Sequence, residues 1–513
     1  MKKGNMLKNS STAVFQKLVE VIFSFLFRTV LIKILGNTYL GLSGLFTNIF
    51  SLLSLAELGI GSAVVYLMYE PLEKNDEKKL QSLLKIYSRF YNILGIFILI
   101  VGLILIPFLP YLIKEYNSLT INIVPIYILT LFNVVASYFL AYRRSLLEAD
   151  QKAFINSANY SFYTTLGTIL KILALIVSKN YIITLVITLI MTILSNISIY
   201  VKTNKMYSFL PIGKAESLDK RTKGELIKRV FASSIHQVGN IVLNGTDNII
   251  ISTLLGLIVV GKYSNYVLIT SIIYSTFSLM FISITANVGN MKLTSTKEEA
   301  LSAFNKLFLI NNYLYFIACT VFGGMINKMI TLWIGKEYIF SYWVVILITI
   351  SLYVQGMRNV IVTFINSSGL NYNTRYKSIF EIVLNLVISI VLCKYIGISG
   401  VILGTILSYT LVSVWYEPYV LFKNWFKTGL RNYYLKYMFC FVLMLIQMLI
   451  LNYIGNLIVC KNILIFILLG IGEFVLSNLI FVIVFGKSEE FKYFLTILKQ
   501  YLNKFLRRSK SYE

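Results

Sequence analysis

The sequence is long, apolar and strongly basic, and together these properties exclude a soluble protein. Its 513 residues are 57% hydrophobic and only 13% charged, with a net charge of +25. So few charges cannot form the exterior of a soluble protein of this size. Apolar runs such as 92–113 and 462–485 are long enough to cross a bilayer as helices. They lack the alternation of a membrane β-barrel, so we predict an all-α integral membrane protein.

Fourteen spans follow one another along the chain. They are predicted at 12–35, 40–68, 88–113, 119–142, 157–178, 180–201, 230–255, 261–289, 305–330, 338–366, 375–395, 397–422, 433–455 and 460–485. The links "ILGNTYLG", "VSKNYI", "LLGLIVVG" and "KYIGISG" each predict a tight turn containing Gly or Asn. The other connections are longer and charged.

The basic residues alternate between the two faces of the membrane. With the N-terminus, alternate loops and the C-terminal tail on one side, that side holds 35 Lys and Arg, the opposite side holds eight, and four lie inside spans. Positive loops stay in the cytoplasm, so both termini are expected there. This topology accounts for the charge without any nucleic acid. The tail at 486–513 is predicted to be an amphipathic helix on the inner leaflet.

The chain also resembles itself at a distance of 220 residues. "ILGNTYLGLSG" falls on "LLGLIVVGKYS", which matches Gly36 with Gly256 and Gly41 with Gly261. Six spans separate the copies, so both have the same orientation and form a parallel repeat. We therefore predict two pseudo-symmetric six-helix lobes. The expected domains are a lobe at 1–201, a cytoplasmic linker at 202–229, a second lobe at 230–422, two further helices at 423–485 and the tail at 486–513.

Ionisable residues inside spans are candidates for function. The first span carries Lys17, Glu20, Ser24 and Arg28 on one helical face. The shift of 220 superposes them on an uncharged polar face of the seventh span, formed by Gln237, Asn240, Asn244 and Asn248. We expect both faces to line a central cavity. Asp247 lies at the edge of the second face, and the further candidates are Glu57, Lys171 and Glu381.

Each candidate also has a structural interpretation. Glu381 can pair with Arg358 on the preceding span, and Glu57 can bond to backbone or to Ser54. Lys171 lies near the end of its helix, where its long side chain can reach the interface. Asp247 can form an ion pair with Arg28. Burial also raises the pKa of a carboxylate toward the working range, so such a group could carry a proton or Na⁺.

Three stretches resemble one membrane protein family. "LAELGIGSAVVYLMYEPL", "TDNIIISTLLGLIVVGKYSNYVLI" and "GLNYNTRYKSIFEIVLNLVISIVLCKYIGISGVILGTILS" are similar to the polysaccharide transporter family, the Wzx-type oligosaccharide flippases. That family belongs to the multidrug/oligosaccharidyl-lipid/polysaccharide (MOP) flippase superfamily. The resemblance covers essentially the whole chain.

This resemblance implies a substrate and a mechanism. The substrate is an undecaprenyl-diphosphate-linked oligosaccharide, which two rocking lobes move to the outer leaflet for capsule, exopolysaccharide or O-antigen synthesis. The implied location is a bacterial cell membrane, with polymerase and other polysaccharide assembly proteins as partners. Family members bind the anionic head group with cavity cations. That role carries over to Arg28, with Lys17 and Lys171 as weaker candidates.

Other functions stay open. A lipid II-type flippase also handles a lipid diphosphate, a MATE-type exporter would move amphipathic cations, and a scaffold of an assembly complex would move nothing. No outer loop exceeds about a dozen residues, and no phosphate loop or metal motif is present in the sequence. We therefore expect no enzyme and no cofactor beyond coupling to H⁺ or Na⁺, and we expect a monomer.

Overall fold

The computed structural model describes residues 3–57, 60–207, 209–210, 224, 230, 245–496 and 499–500. Every element in these ranges is a helix or a turn. Sixteen helices are labelled here in chain order. They are α1 (Lys3–Leu35), α2 (Asn37–Leu53), α3 (Ile60–Glu73), α4 (Glu77–Ile104), α5 (Ile123–Tyr138), α6 (Tyr142–Ala149), α7 (Ala153–Ser178), α8 (Tyr181–Met206), α9 (245–254), α10 (Leu257–Thr294), α11 (Lys297–Trp333), α12 (Tyr342–Ser368), α13 (Lys377–Ile396), α14 (Ile398–Phe426), α15 (Arg431–Asn456) and α16 (Ile463–Phe485).

The predicted fold class is confirmed. Ten of the described helices are long and apolar enough to cross a membrane, or eleven if the bent pair α5 and α6 forms one span. Each of the fourteen predicted spans coincides with a described helix or helix pair, although only 245–254 of the seventh is described. The four predicted turns lie between α1 and α2, α7 and α8, α9 and α10, and α13 and α14.

By its contacts the chain forms two compact units, Met1–Ser264 and Asn265–Glu513. In the first unit α7 packs against both α1 and α8, and α5 packs against α4 and α8. In the second unit α11 is central, because α12, α15 and α16 all pack on it. The predicted linker at 202–229 lies mostly outside the described residues, and the predicted lobe boundaries stay a prediction.

The core of the second unit is aromatic. Phe304 of α11 contacts Phe364 of α12, Phe422 and Phe426 of α14, and Tyr433 of α15, with ring centroids 5.4–6.1 Å apart. All five rings are buried. Large aromatic surfaces at these distances hold the helices together by dispersion and edge-to-face contacts, which operate even where lipid supplies no hydrophobic driving force.

Three spans depart from a regular helix. The predicted span 40–68 breaks after α2, where Ser54–Glu57 form a 3₁₀ turn before α3 begins at Ile60. The fourth span bends by 42° between α5 and α6, where Leu140 has a left-handed φ of 66°. α14 contains π-helical turns at Tyr409–Ser413 and Phe422–Phe426. Such breaks are tolerated in a membrane where protein surrounds the freed backbone or it faces a cavity.

A reciprocal backbone contact joins the start of α2 to the start of α10. A side-chain carbon on Gly41 would lie 2.1 Å from the Leu257 carbonyl oxygen, and one on Gly261 would lie 2.5 Å from the Asn37 carbonyl oxygen. Asn37 also donates from Nδ2 to the Ile258 carbonyl, at 2.7 Å. The shift of 220 converts the first glycine contact into the second, which is the pattern expected of the predicted repeat. Neither glycine leaves room for a side chain.

Candidate functional site

The first unit contains two adjoining polar cavities between its helices. The larger, called the tyrosine chamber here, has a volume of about 660 Å³. Its aromatic and charged lining comes from the 3₁₀ turn, α3, α4, α5 and α6. It consists of Glu57, Tyr66, Tyr69, Tyr87, Tyr91, Tyr138, Arg144 and Glu148. A volume of this size is typical of pockets that hold small ligands.

Glu57 is fixed in the tyrosine chamber by buried phenols. The Tyr91 hydroxyl donates to Glu57 Oε1, and Tyr138 lines the same cavity beside Tyr91. Tyr87 donates to the Tyr91 oxygen at 2.9 Å, and Ser145 Oγ donates to the Tyr87 oxygen at 3.2 Å. Glu57 belongs to the 3₁₀ turn Ser54–Glu57, and its side chain lines the cavity. The donors compensate the desolvation of its charge.

The smaller cavity, called the hydroxyl chamber, has a volume of about 490 Å³ and lies between α5, α7 and α8. Hydroxyl, amide and cationic side chains dominate its lining. They are Ser137, Arg144, Tyr160, Tyr163, Thr164, Thr168, Lys171, Thr188, Thr192, Ser195 and Asn196. The Lys171 ammonium lies 4.6 Å from the centroid of the Phe27 ring. No carboxylate in the described part of the chain lies within ion-pairing distance of Lys171.

Arg144 belongs to the wall that the two chambers share, together with Ser137 and Ala141. Its Nη2 atom donates to Asn159 Oδ1 at 3.1 Å, Ser195 Oγ at 2.9 Å and Asn196 Oδ1 at 3.3 Å. These neutral acceptors orient the guanidinium, and the Glu148 carboxylate one turn further along α6 interacts with it electrostatically. The bend between α5 and α6 turns this residue back toward the helices, whereas a straight fourth span would have left it in a loop.

No protein-family model and no curated protein matches the sequence. Solved structures do match it. The lipid II flippase MurJ in an inward closed conformation aligns with a TM-score of 0.65 at 14% identity, over 92% of this chain and 98% of that one. An inward-facing multidrug resistance MATE family transporter of the MOP superfamily aligns with a TM-score of 0.62 at 14% identity, over 79% and 96%. A mutant of the Vibrio cholerae MATE transporter VcmN gives 0.54 at 15% identity, over 83% and 99%.

The fold is that of MATE transporters and MurJ. At these identities the likeness establishes the architecture alone. The alignment with MurJ covers roughly 65 residues more than that with the first MATE structure, which is about two membrane helices.

The residues of the predicted polar face on the first span lie in different environments. Lys17 pairs with Glu20 at 3.3 Å, and both side chains are about two-fifths exposed. Ser24 is exposed. Arg28 donates from Nη1 to the Ser264 carbonyl at 2.7 Å. The face therefore leads from an ion pair at one end to a contact with the start of α10 at the other.

The predicted face of the seventh span is described only in part. Gln237, Asn240 and Asn244 lie outside the described residues. Asp247 is buried in α9, with 8% of its surface exposed. Asn248 Nδ2 would lie 3.5 Å from a side-chain carbon on Gly44. The transport roles of both predicted faces stay predictions.

Glu381 lies in the second unit, within a cluster of four charges. Glu417 accepts from Arg358 Nε and Nη2 at 3.0 and 2.9 Å and also pairs with Lys377. Glu381 lies 3.7 Å from Arg358 and 3.8 Å from Lys377, and Ser413 Oγ donates to it at 2.6 Å. The pairing of Arg358 with Glu381, predicted as the structural alternative, is thus present. Two cations and two carboxylates balance one another.

Sequence reasoning missed Arg144, Glu148, Glu417, Lys377 and the chamber tyrosines. Arg144 lies two residues beyond the fourth predicted span, 119–142, and Lys377 lies at the very start of the eleventh, 375–395, so neither stands out in the sequence as an intramembrane charge. Glu417 lies inside the apolar run of α14, so its intramembrane charge was a signal available in the sequence. Among the described residues, no cluster of three His, Cys, Asp or Glu side chains could hold a metal ion.

Proposed function

We propose that the protein is a flippase for an undecaprenyl-diphosphate-linked oligosaccharide, working by alternating access of two lobes in a bacterial cytoplasmic membrane. The observation that carries this proposal is the hydroxyl chamber, where Lys171 and Arg144 stand among hydroxyls and amides between membrane helices. A diphosphate cannot enter hydrocarbon unaided, because each unpaired charge there costs several kcal/mol. Ammonium, guanidinium and hydroxyl donors are the groups that replace its water.

The comparison with MurJ supports a lipid-linked substrate. MurJ is named a lipid II flippase, and its structure aligns over more of this chain than the MATE structures do. The chain includes α15 and α16, which follow the predicted repeat and pack on α11. A lipid II-type substrate shares the diphosphate, so the sugar chain distinguishes it from the proposed one.

A multidrug exporter is the second candidate, because MATE transporters have the same fold. Such a protein binds amphipathic cations, which the two cations of the hydroxyl chamber would repel. A non-transport scaffold is the third candidate function. It would not require the polar cavities between the helices.

Transport by the purified protein in vesicles tests the proposal. One preparation carries a fluorescent undecaprenyl-diphosphate oligosaccharide on one leaflet, and another carries tetraphenylphosphonium, a lipophilic cation. We expect movement of the lipid-linked sugar above that in protein-free vesicles, and none of the cation. Movement of the cation alone would identify the protein as an exporter. If neither compound moves, the result would support the non-transport scaffold.

Four carboxylates are the proposed candidates for coupling to H⁺ or Na⁺, namely Asp247, Glu20, Glu57 and Glu381. Asp247→Asn preserves shape and removes the charge, so a coupled flippase should lose its response to an imposed ion gradient. The same vesicles, prepared with and without a gradient, measure this response. An unchanged response would remove Asp247 from the coupling mechanism.

A further inference from the structure

We propose that the tyrosine chamber is a carbohydrate-binding subsite that holds the sugar next to the diphosphate. This inference rests on the proposed function and extends it, because it assigns the head group and the sugar to different chambers of the first unit. Three observations support it: the available ring faces, a preset polar group, and the position of the shared wall.

Two of the tyrosine rings present surface to the cavity. Tyr66 and Tyr69 on α3 are each 50% exposed, with ring centroids 6.1 Å apart and ring planes at 71°. The other three tyrosines of the chamber are buried, with at most 7% of their surface exposed. The C–H face of a pyranose packs against an aromatic ring, and phenols add hydrogen bonds to sugar hydroxyls. Because the two rings contact each other at 71°, a sugar can stack on the face of one ring while the other borders its edge.

Glu57 supplies the fixed polar group. The hydrogen-bond chain from Ser145 through Tyr87 and Tyr91 holds its carboxylate in place before any ligand arrives. A carboxylate accepts hydrogen bonds from the hydroxyls of a sugar. Preorganisation of this kind reduces the ordering cost of binding.

The charges of the chamber are mixed, because Glu57 and Glu148 line it together with Arg144. A ring of tyrosines beside carboxylates also resembles the cages that bind quaternary ammonium groups. An organic cation entering the chamber would meet the like charge of Arg144 as well as the two carboxylates. Choline is therefore the competing ligand that the experiment has to exclude.

The position of Arg144 matches the covalent order of the substrate. In a lipid-linked sugar the first pyranose is bonded directly to the diphosphate. The chambers share the wall formed by Ser137, Ala141 and Arg144. A diphosphate held by Lys171 and Arg144 would therefore place its first sugar at the entrance to the tyrosine chamber.

Ligand binding to the full-length protein in nanodiscs tests this assignment. The probes are glucose, galactose and N-acetylglucosamine trisaccharides, with choline as the cation, and saturation-transfer NMR detects contact with ring protons. We expect at least one trisaccharide to bind and choline not to bind. The variant Tyr66→Ala/Tyr69→Ala should lose at least tenfold in sugar affinity.

Two matched variants separate stacking from other effects. Tyr66→Phe/Tyr69→Phe keeps both rings and should stay within threefold of wild type. Tyr111→Ala removes a tyrosine that is 77% exposed and outside the chamber, and should change nothing.

The proposed function is decided separately, by transport of the lipid-linked sugar by the wild-type protein. Binding of no trisaccharide, binding of choline instead, or full affinity in the double alanine variant would overturn the chamber assignment while transport persists.

Discussion

The two units differ in how their intramembrane charges are compensated. In the second unit four largely buried charges form ion pairs, each cation lying within 4 Å of both carboxylates. They are Arg358, Lys377, Glu381 and Glu417. In the first unit Lys171 and Arg144 face a cavity and are oriented by neutral groups. Both regions contain ionisable residues in membrane helices, so the type of residue does not distinguish a structural site from a binding site. The distinguishing property is whether the charges are satisfied by one another.

The largest expected effect comes from breaking the balanced cluster. Glu417→Ala removes the partner of both Arg358 and Lys377 and leaves two uncompensated cations among buried groups. Loss of one partner of a buried pair costs about 3–5 kcal/mol. We expect a lower melting temperature and poor yield in detergent, measured by fluorescence-detected size exclusion. The double variant Glu417→Ala/Arg358→Ala should regain part of the loss, and an unchanged Glu417→Ala protein would contradict a structural role.

An uncharged contact in the first unit gives the next effect. Gly41→Ala places a carbon 2.1 Å from the Leu257 carbonyl oxygen, so α2 and α10 must separate. Overpacking of this kind costs about 1–3 kcal/mol. The matched control is Gly472→Ala on α16, where nothing lies within 4 Å of the added carbon. Melting temperature should fall for the first variant and stay level or rise for the second. Equal behaviour of the two would argue against a tight contact.

A smaller and purely functional effect is expected at Lys171. Lys171→Gln keeps a polar side chain that is one atom shorter, and it removes the positive charge that faces the hydroxyl chamber. A hydrogen bond to a charged group contributes about 1.5–3 kcal/mol, so transport of the lipid-linked sugar should fall by roughly tenfold or more. Lys179→Gln, at the exposed end of α7, is the control. Stability should be equal in both, and normal transport by Lys171→Gln would remove this residue from the head-group site.

The smallest effect is expected at the exposed pair of the first span. Lys17 and Glu20 are about two-fifths exposed, and such pairs contribute about 0.2–0.5 kcal/mol. Lys17→Ala should leave the melting temperature within a degree or two and change transport less than twofold. A large loss of transport in the same vesicle assay would instead support the sequence-based prediction that Lys17 contacts the diphosphate.

The sequence predicted most of the helices because long apolar runs are a strong and local signal. It also predicted the turns at Gly36, Gly256 and Gly397, where φ is positive. The break at Ser54–Glu57 and the bend at Leu140 were missed, because hydropathy is unchanged across them. For the same reason Arg144 was placed in a loop.

The site was predicted only in part. Lys171 and Glu57 were identified as intramembrane charges and do line the chambers. The tyrosines were not singled out, because 36 tyrosines are spread along the chain and only the packing shows which of them meet. Whether a charge is balanced depends on helices distant in sequence, as for Lys377 and Glu417, and no local pattern contains that information.

The reciprocal contact of Gly41 and Gly261 shows how the two predicted copies can share a symmetric junction although their sequences differ. The residues opposite the glycines, Leu257 and Asn37, are superposed by the predicted shift of 220 and have no chemistry in common. Asn37 donates a hydrogen bond to the Ile258 carbonyl, whereas Leu257 is buried and apolar. Each glycine approaches a main-chain oxygen, which every amino acid supplies, and Gly261 also lies against the Asn37 side chain. The residues opposite the glycines can therefore differ, provided that the two glycine positions never acquire a side chain.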